Sequence, residues 1–171
     1  IPDFMMKLRA QDGIGAIALE FAILTAARTS EVIGATWAEI SLEQRTWTIP
    51  AGRMKAGHEH QVPLAMSAVE LLRRMEHLRT GDVVFPGQSK SGYLSNMALL
   101  AVLKRMKRSD VTAHGFRSSF RDWVSECTDY PREVAEMALA HSIGNAVEAA
   151  YRRGDLFGKR RALMALWAKY C

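Results

Sequence analysis

The chain has 171 residues, 49% of them hydrophobic and 24% charged, with a formal net charge of +5. That length closes one core without metal or disulfide staples, no run approaches the roughly 18 apolar residues of a membrane span, and the two cysteines, Cys127 and Cys171, are too few and too far apart for a disulfide framework. The basic surplus points to an anionic partner, of which nucleic acid is the commonest class.

The opening IPDFMMKLRA has no basic start, apolar stretch and cleavage site of a signal peptide, and with so few cysteines the expected compartment is a reducing cytoplasm. It lacks an initiator Met, which suggests a piece of a longer chain. From Gly13 to Ala27 the apolar residues are nearly continuous and rich in Ala and Leu, predicting a buried helix that ends at Arg28. Thr29 is placed to cap a short helix to about Thr36, with Glu31 in its first turn.

Between Trp37 and Leu64 β-branched and aromatic residues alternate around turn signals, predicting a small antiparallel sheet of three strands whose last turn lies around Lys55 to His58. Ser67 and Glu70 have capping-box spacing for a helix through about Leu78. A loop with a short VVF segment follows, then a helix capped by Ser95, and a further one from Thr112 to about Glu126. Pro131 suits the first position of a helix reaching Leu139. A short helix carrying Tyr151 is broken at Gly154, and Asp155 caps the terminal helix. The expected fold class is mainly α with a small three-stranded antiparallel sheet, over residues 1–171 as one domain.

Singly, the polar residues of interest have ordinary explanations. Arg28 and Glu31 can be an ion pair tying two helix ends, although an arginine at a core boundary is costly unless an anion meets it. Lys55 sits with Arg53, His58 and His60 in a basic hairpin of a kind that is usually just solvated. The HEH spacing gives only two ligands on one strand face, too few for a metal site. His114 and Arg117, three apart on a helix, can reach one ligand. A tyrosine near a helix end, as Tyr151 is, more often anchors than attacks.

Together they compose one reaction. A phenol with a pKa of about 10 attacks at neutral pH only with a base or with cations that stabilise the phenolate. Attack on a phosphodiester concentrates negative charge that guanidinium forks match, and the departing sugar oxygen needs an acid such as lysine. Two arginines, two histidines, a lysine and a tyrosine suffice for transesterification at a DNA phosphate, with no metal or other cofactor.

The ordered segments TAARTSEV, MKAGHEHQVPL, HGFR, LAH and AAYRRGDL resemble the catalytic domain of the tyrosine recombinases, the phage integrase family, and the ending AYRRGDLFGKRRALMALWAKYC resembles integrases of prophages and genomic islands related to satellite phage P4. The resemblance implies that Tyr151 attacks the scissile phosphate to give a 3′-phosphotyrosyl bond, that Arg28, Arg117 and His141 bind the phosphate, that Lys55 is the acid for the 5′-oxygen and His114 the base, and that Glu31 orients Arg28. Arg53, Arg152 and Arg153 are the further candidates for DNA contact. It also implies double-stranded attachment-site DNA as substrate, a homotetramer in the synaptic complex, excisionase and DNA-bending proteins as accessories, and N-terminal DNA-binding domains that this chain lacks, so that the chain alone is expected to be a monomer without DNA. The rival readings are a type IB topoisomerase-like enzyme, a DNA-binding module without catalysis, and a metallohydrolase.

Overall fold

A computed structural model of the chain describes residues 1–89, 91–141 and 155–171. The helices are α1 (Pro2–Arg9), α2 (Ile14–Thr25), α3 (Thr29–Ile33), α4 (Met66–His77), α5 (Ala98–Arg105), α6 (Gly115–Cys127), α7 (Arg132–Ala138) and α8 (Phe157–Tyr170). Between α3 and α4 lie strands β1 (Ile40–Ser41), β2 (Thr46–Ile49) and β3 (His60–Pro63), an antiparallel sheet in the order β1-β2-β3. The mainly helical fold with one three-stranded antiparallel sheet is therefore as the sequence predicts. Among the described residues no helix is long and apolar enough to cross a membrane.

Helix α2 is apolar on every side because it is the centre of the core. Leu19, Phe21, Ile23 and Leu24 are fully buried, and the helix packs against α1, α3, α4, α5 and α8. Phe21 meets Trp47 of β2 and Phe85 of the VVF segment, each at a ring separation of 5.3 Å. That segment docks beside residues 35–37 through hydrogen bonds from Val84 N to Ala35 O and Trp37 N to Asp82 O.

Local details differ from expectation where packing outweighs capping chemistry. Helix α3 is capped by Arg28 rather than Thr29, because the Glu31 carboxylate reaches back to the Arg28 backbone N–H (2.8 Å). Helix α4 starts at Met66, so Ser67 is already helical and its Oγ is buried without a partner among the described residues; the Ser67–Glu70 box does not form. Strand β3 runs almost directly into α4, and buried Leu64 and Ala65 fix the turn between them. Trp37–Glu39 is a 3₁₀ turn rather than strand. The expected helix around Tyr151 lies outside the described residues. The N-cap of α8 is Leu156 rather than the expected Asp155, which lies one residue earlier and accepts from Phe157 N at 3.0 Å.

Three helices end in the same way without glycine. Ala26, Lys107 and Ala140 have φ of 51°, 57° and 50°. In each case the residue after them closes a bond to the carbonyl five residues back: Ala27 N to Ala22 O, Arg108 N to Leu103 O, and His141 N to Glu136 O. This is the Schellman arrangement, and it turns the chain sharply after α2 and α7. The residues delivered by those turns are Arg28 and His141.

Candidate active site

Arg28 leaves the end of α2 with its guanidinium drawn to the side chain that caps α3. Its Nη1 donates to Glu31 Oε1 at 2.7 Å, and the Glu31 carboxylate is almost wholly buried. One acid thus holds both the backbone and the side chain of the arginine, fixing where the cation points.

Arg117, in the first turn of α6, is buried. Its Nη1 donates to the Ala26 carbonyl and its Nη2 to the Leu139 carbonyl (2.7 Å). These are the C-terminal ends of α2 and α7, where the helix macrodipole is negative. A buried cation is thereby matched by two helix ends instead of a carboxylate. Burial, then neighbouring Arg28, pulls its pKa down from the ordinary guanidinium value to about 10 against the opposing pull of Glu31, so it remains charged at neutral pH. Its Nε is buried with no partner among the described residues.

The Leu139 carbonyl that Arg117 holds lies two residues before His141, whose Nε2 stands 3.3 Å from Arg117 Nη2. On the other side of the ring, Nδ1 is 2.7 Å from Glu136 Oε2. A shallow cavity of about 340 Å³ is lined by Arg28, Lys55, Ala56, Ala140 and His141. Three segments far apart in sequence therefore converge on one opening: the α2–α3 junction, the β2–β3 hairpin and the end of α7. Lys55 is exposed in that hairpin, while His114 is exposed just before α6, one helical turn ahead of Arg117.

Arg53 departs from the contact role expected of it. Its Nη1 bonds both carboxylate oxygens of Glu39 and its Nη2 the Glu31 carbonyl, so the guanidinium is turned inward to brace the hairpin against α3. Tyr151, Arg152 and Arg153 lie outside the described residues. His58 is exposed and His60 faces inward. Among the described residues no three His, Cys, Asp or Glu side chains are grouped as metal ligands would be.

Three supporting residues escape sequence reasoning. His60 sits near Arg28 and Glu31 with the Ala138 backbone as partner; burial, then the Arg160 charge, lowers its pKa to about 4. Arg160 is buried and donates to the Asp155 carboxylate (2.5 Å) and carbonyl (2.8 Å) and to the Gln61 carbonyl (2.6 Å). Glu136 pairs with Arg121 and His141. Nothing in KRRALM distinguishes Arg160 from its neighbours, and Glu136 meets His141 across five residues only because the helix ends in a Schellman turn.

The phage integrase family model matches residues 4–155. The chain belongs to the phage integrase family. Prophage integrase IntA of Escherichia coli (strain K12) is 37% identical over 149 residues, covering 85% of this chain and 36% of that protein. The integrase of Enterobacteria phage P4 is 32% identical, covering 99% of this chain and 43% of that protein. The chain thus spans less than half the length of these two relatives. Among solved structures, the integrase from mycobacterium phage Brujita superposes with a TM-score of 0.72 at 20% identity, over 94% of this chain and 54% of that one. A lambda integrase dimer bound to a COC′ core site gives 0.61 at 19% identity, over 82% and 56%. At such identities the agreement is one of fold alone.

Proposed function

We propose that this chain is the catalytic domain of a site-specific DNA recombinase that integrates or excises a prophage or genomic island in the bacterial cytoplasm. The observation that carries the proposal is the convergence of Arg28, Lys55 and His141 on one cavity, with Arg117 bonded to the turn that bears His141. Cations held at fixed spacing are what a phosphodiester needs as its oxygens gain charge. In this reading the Tyr151 oxygen forms a bond to phosphorus as the bond to the 5′-oxygen breaks. His114 takes the phenol proton, Lys55 gives a proton to the leaving oxygen, and Arg28, Arg117 and His141 hold the non-bridging oxygens. Glu31 keeps Arg28 in place.

The phosphotyrosyl ester retains the energy of the broken linkage, so a partner strand's 5′-hydroxyl reseals it without nucleotide hydrolysis. Double-stranded attachment-site DNA is the substrate, Arg152 and Arg153 add positive potential near its backbone, and strand exchange takes place in a homotetramer. Lambda integrase offers a precedent for such an assembly, as a tetramer bound to a Holliday junction.

The test is covalent trapping on a nicked attachment-site duplex in EDTA, followed by a denaturing gel. A protein–DNA band that Tyr151→Phe removes supports the reading, and recombinant junctions on paired sites separate a recombinase from a topoisomerase-like enzyme. A band that survives Tyr151→Phe overturns it.

A further inference from the structure

His141 is attached to Glu136 twice. The His141 backbone N–H closes the Schellman turn onto the Glu136 carbonyl at 2.9 Å, and Nδ1 lies 2.7 Å from Glu136 Oε2. The carboxylate is itself held in place: its side chain is 13% exposed, Arg121 Nε stands 2.9 Å from Oε1 and Arg132 Nε 3.5 Å. Burial opposes its charge, but the hydrogen bond from His141 and the Arg121 charge outweigh burial, and its pKa is lowered. Glu136 is therefore an anion at neutral pH.

An ionised carboxylate only accepts hydrogen bonds. The His141 proton therefore sits on Nδ1, and Nε2 is the nitrogen left beside Arg117 Nη2 at 3.3 Å. An imidazole free of such a partner can rotate or exchange tautomers; with one, its orientation is set by what the other nitrogen holds. We infer that Glu136 is a positioning residue of the phosphate site: by accepting from Nδ1–H it fixes the orientation of His141 so that Nε2, beside Arg117, faces a phosphate oxygen, to which it donates once the ring takes up a second proton as the phosphate binds. The inference rests on the recombinase reading for its purpose but not for its geometry. Arg121 and Arg132 act one step further out, by holding the carboxylate.

The experiment has two readouts. Imidazole ¹⁵N NMR of the chain without DNA reports which ring nitrogen of His141 is protonated, with His141→Ala assigning the resonance. The expected result is protonated Nδ1 in the wild type and a shift of population toward protonated Nε2 in Glu136→Ala. Single-turnover cleavage of the nicked duplex supplies the second: Glu136→Ala slows it by about 10- to 100-fold, the scale found when a metal-bound histidine loses its orienting carboxylate. In a His141→Ala background the same substitution slows it less than about twofold, because the pair acts as one unit.

A wild-type ring protonated on Nε2 with Nδ1 bare overturns the inference, as does an equal loss from Glu136→Ala with and without His141, which is the signature of a role in folding alone. Glu136→Gln keeps an acceptor of the same size and serves if Glu136→Ala does not fold; retained Nδ1 protonation with a smaller loss supports the assignment, and an unchanged cleavage rate overturns it. Wild-type chain that shows the Nδ1 tautomer yet never forms a Tyr151 adduct would remove the recombinase reading and leave the Glu136–His141 geometry standing.

Discussion

Burial and the Arg160 guanidinium keep the His60 imidazole neutral near Arg28 and Glu31, with its pKa lowered from 6.5 to about 4. Between those values the unfolded chain binds a proton that the folded chain refuses, so this histidine's contribution to stability rises with pH. It is complete above about pH 6.5 and lost as pH falls toward 4. At pH 5 the loss is about 2 kcal/mol, taking about 1.4 kcal/mol per unit as an upper scale. Urea titrations at pH 5 and 7.5 should show the difference in unfolding free energy shrink by up to that amount in His60→Gln, and an unchanged difference would rule out this role for His60. Sequence spacing makes Arg28 and Glu31 legible as a pair, since three residues along a helix start bring them together whatever surrounds them. His60 is not legible in this way, because its neutrality depends on Arg160, 100 positions along the chain. Arg53 misleads for the same reason: a basic hairpin reads as an exposed surface until Glu39, on another element, claims the guanidinium.

At the scale of elements, the ends of helices decide where the functional side chains point. The buried run from Gly13 to Ala27 is legible because no other element is both that long and that apolar. Its termination is not, because the usual glycine signal is missing and Ala26 takes the left-handed conformation instead. The same holds at Lys107 and Ala140. A left-handed residue with a Cβ costs roughly 1–2 kcal/mol, against roughly 0.5–1 kcal/mol of extra chain entropy lost by glycine. Lys107 tests this away from the cavity, since its side chain is exposed at the end of α5. Lys107→Gly should stabilise the chain by about 0.5–1 kcal/mol, read as a higher urea midpoint at unchanged slope. A lower midpoint would show that the turn carries no strain and that packing alone sets it. The strain at Ala26 and Ala140 is then the cost of turns that bring Arg28 and His141 to the same opening.

For the molecule as a whole, α8 packs against the elements whose ends meet at that opening. Sequence periodicity places Leu163, Leu166, Trp167 and Tyr170 on one stripe and leaves open whether the stripe packs at home or on a neighbouring protomer. The structure divides it. Leu163 and Trp167 are fully buried, and Leu166 and Tyr170 stay partly exposed. Trp167 lies against Phe120 at 5.3 Å and Trp123 at 5.1 Å, and its indole Nε1 donates to the Ile23 carbonyl at 2.7 Å. Ile23 belongs to the last turn of α2, whose end carries Arg28 and accepts from Arg117, so the final helix of the chain braces the first part of the site. At the other end of α8, Arg160 ties Asp155, four residues after Tyr151, to β3 through Gln61. Trp167→Ala removes a large buried ring and leaves the Ile23 carbonyl without its indole donor. It should cost about 3–5 kcal/mol, a large share of the roughly 5–15 kcal/mol typical of a domain. Leu166→Ala, on the same helix but outside the core, should cost less than about 1 kcal/mol. Paired urea titrations measure both. Equal costs would mean that α8 is held by its surface and that the brace from Trp167 to α2 contributes nothing to the fold around Arg28.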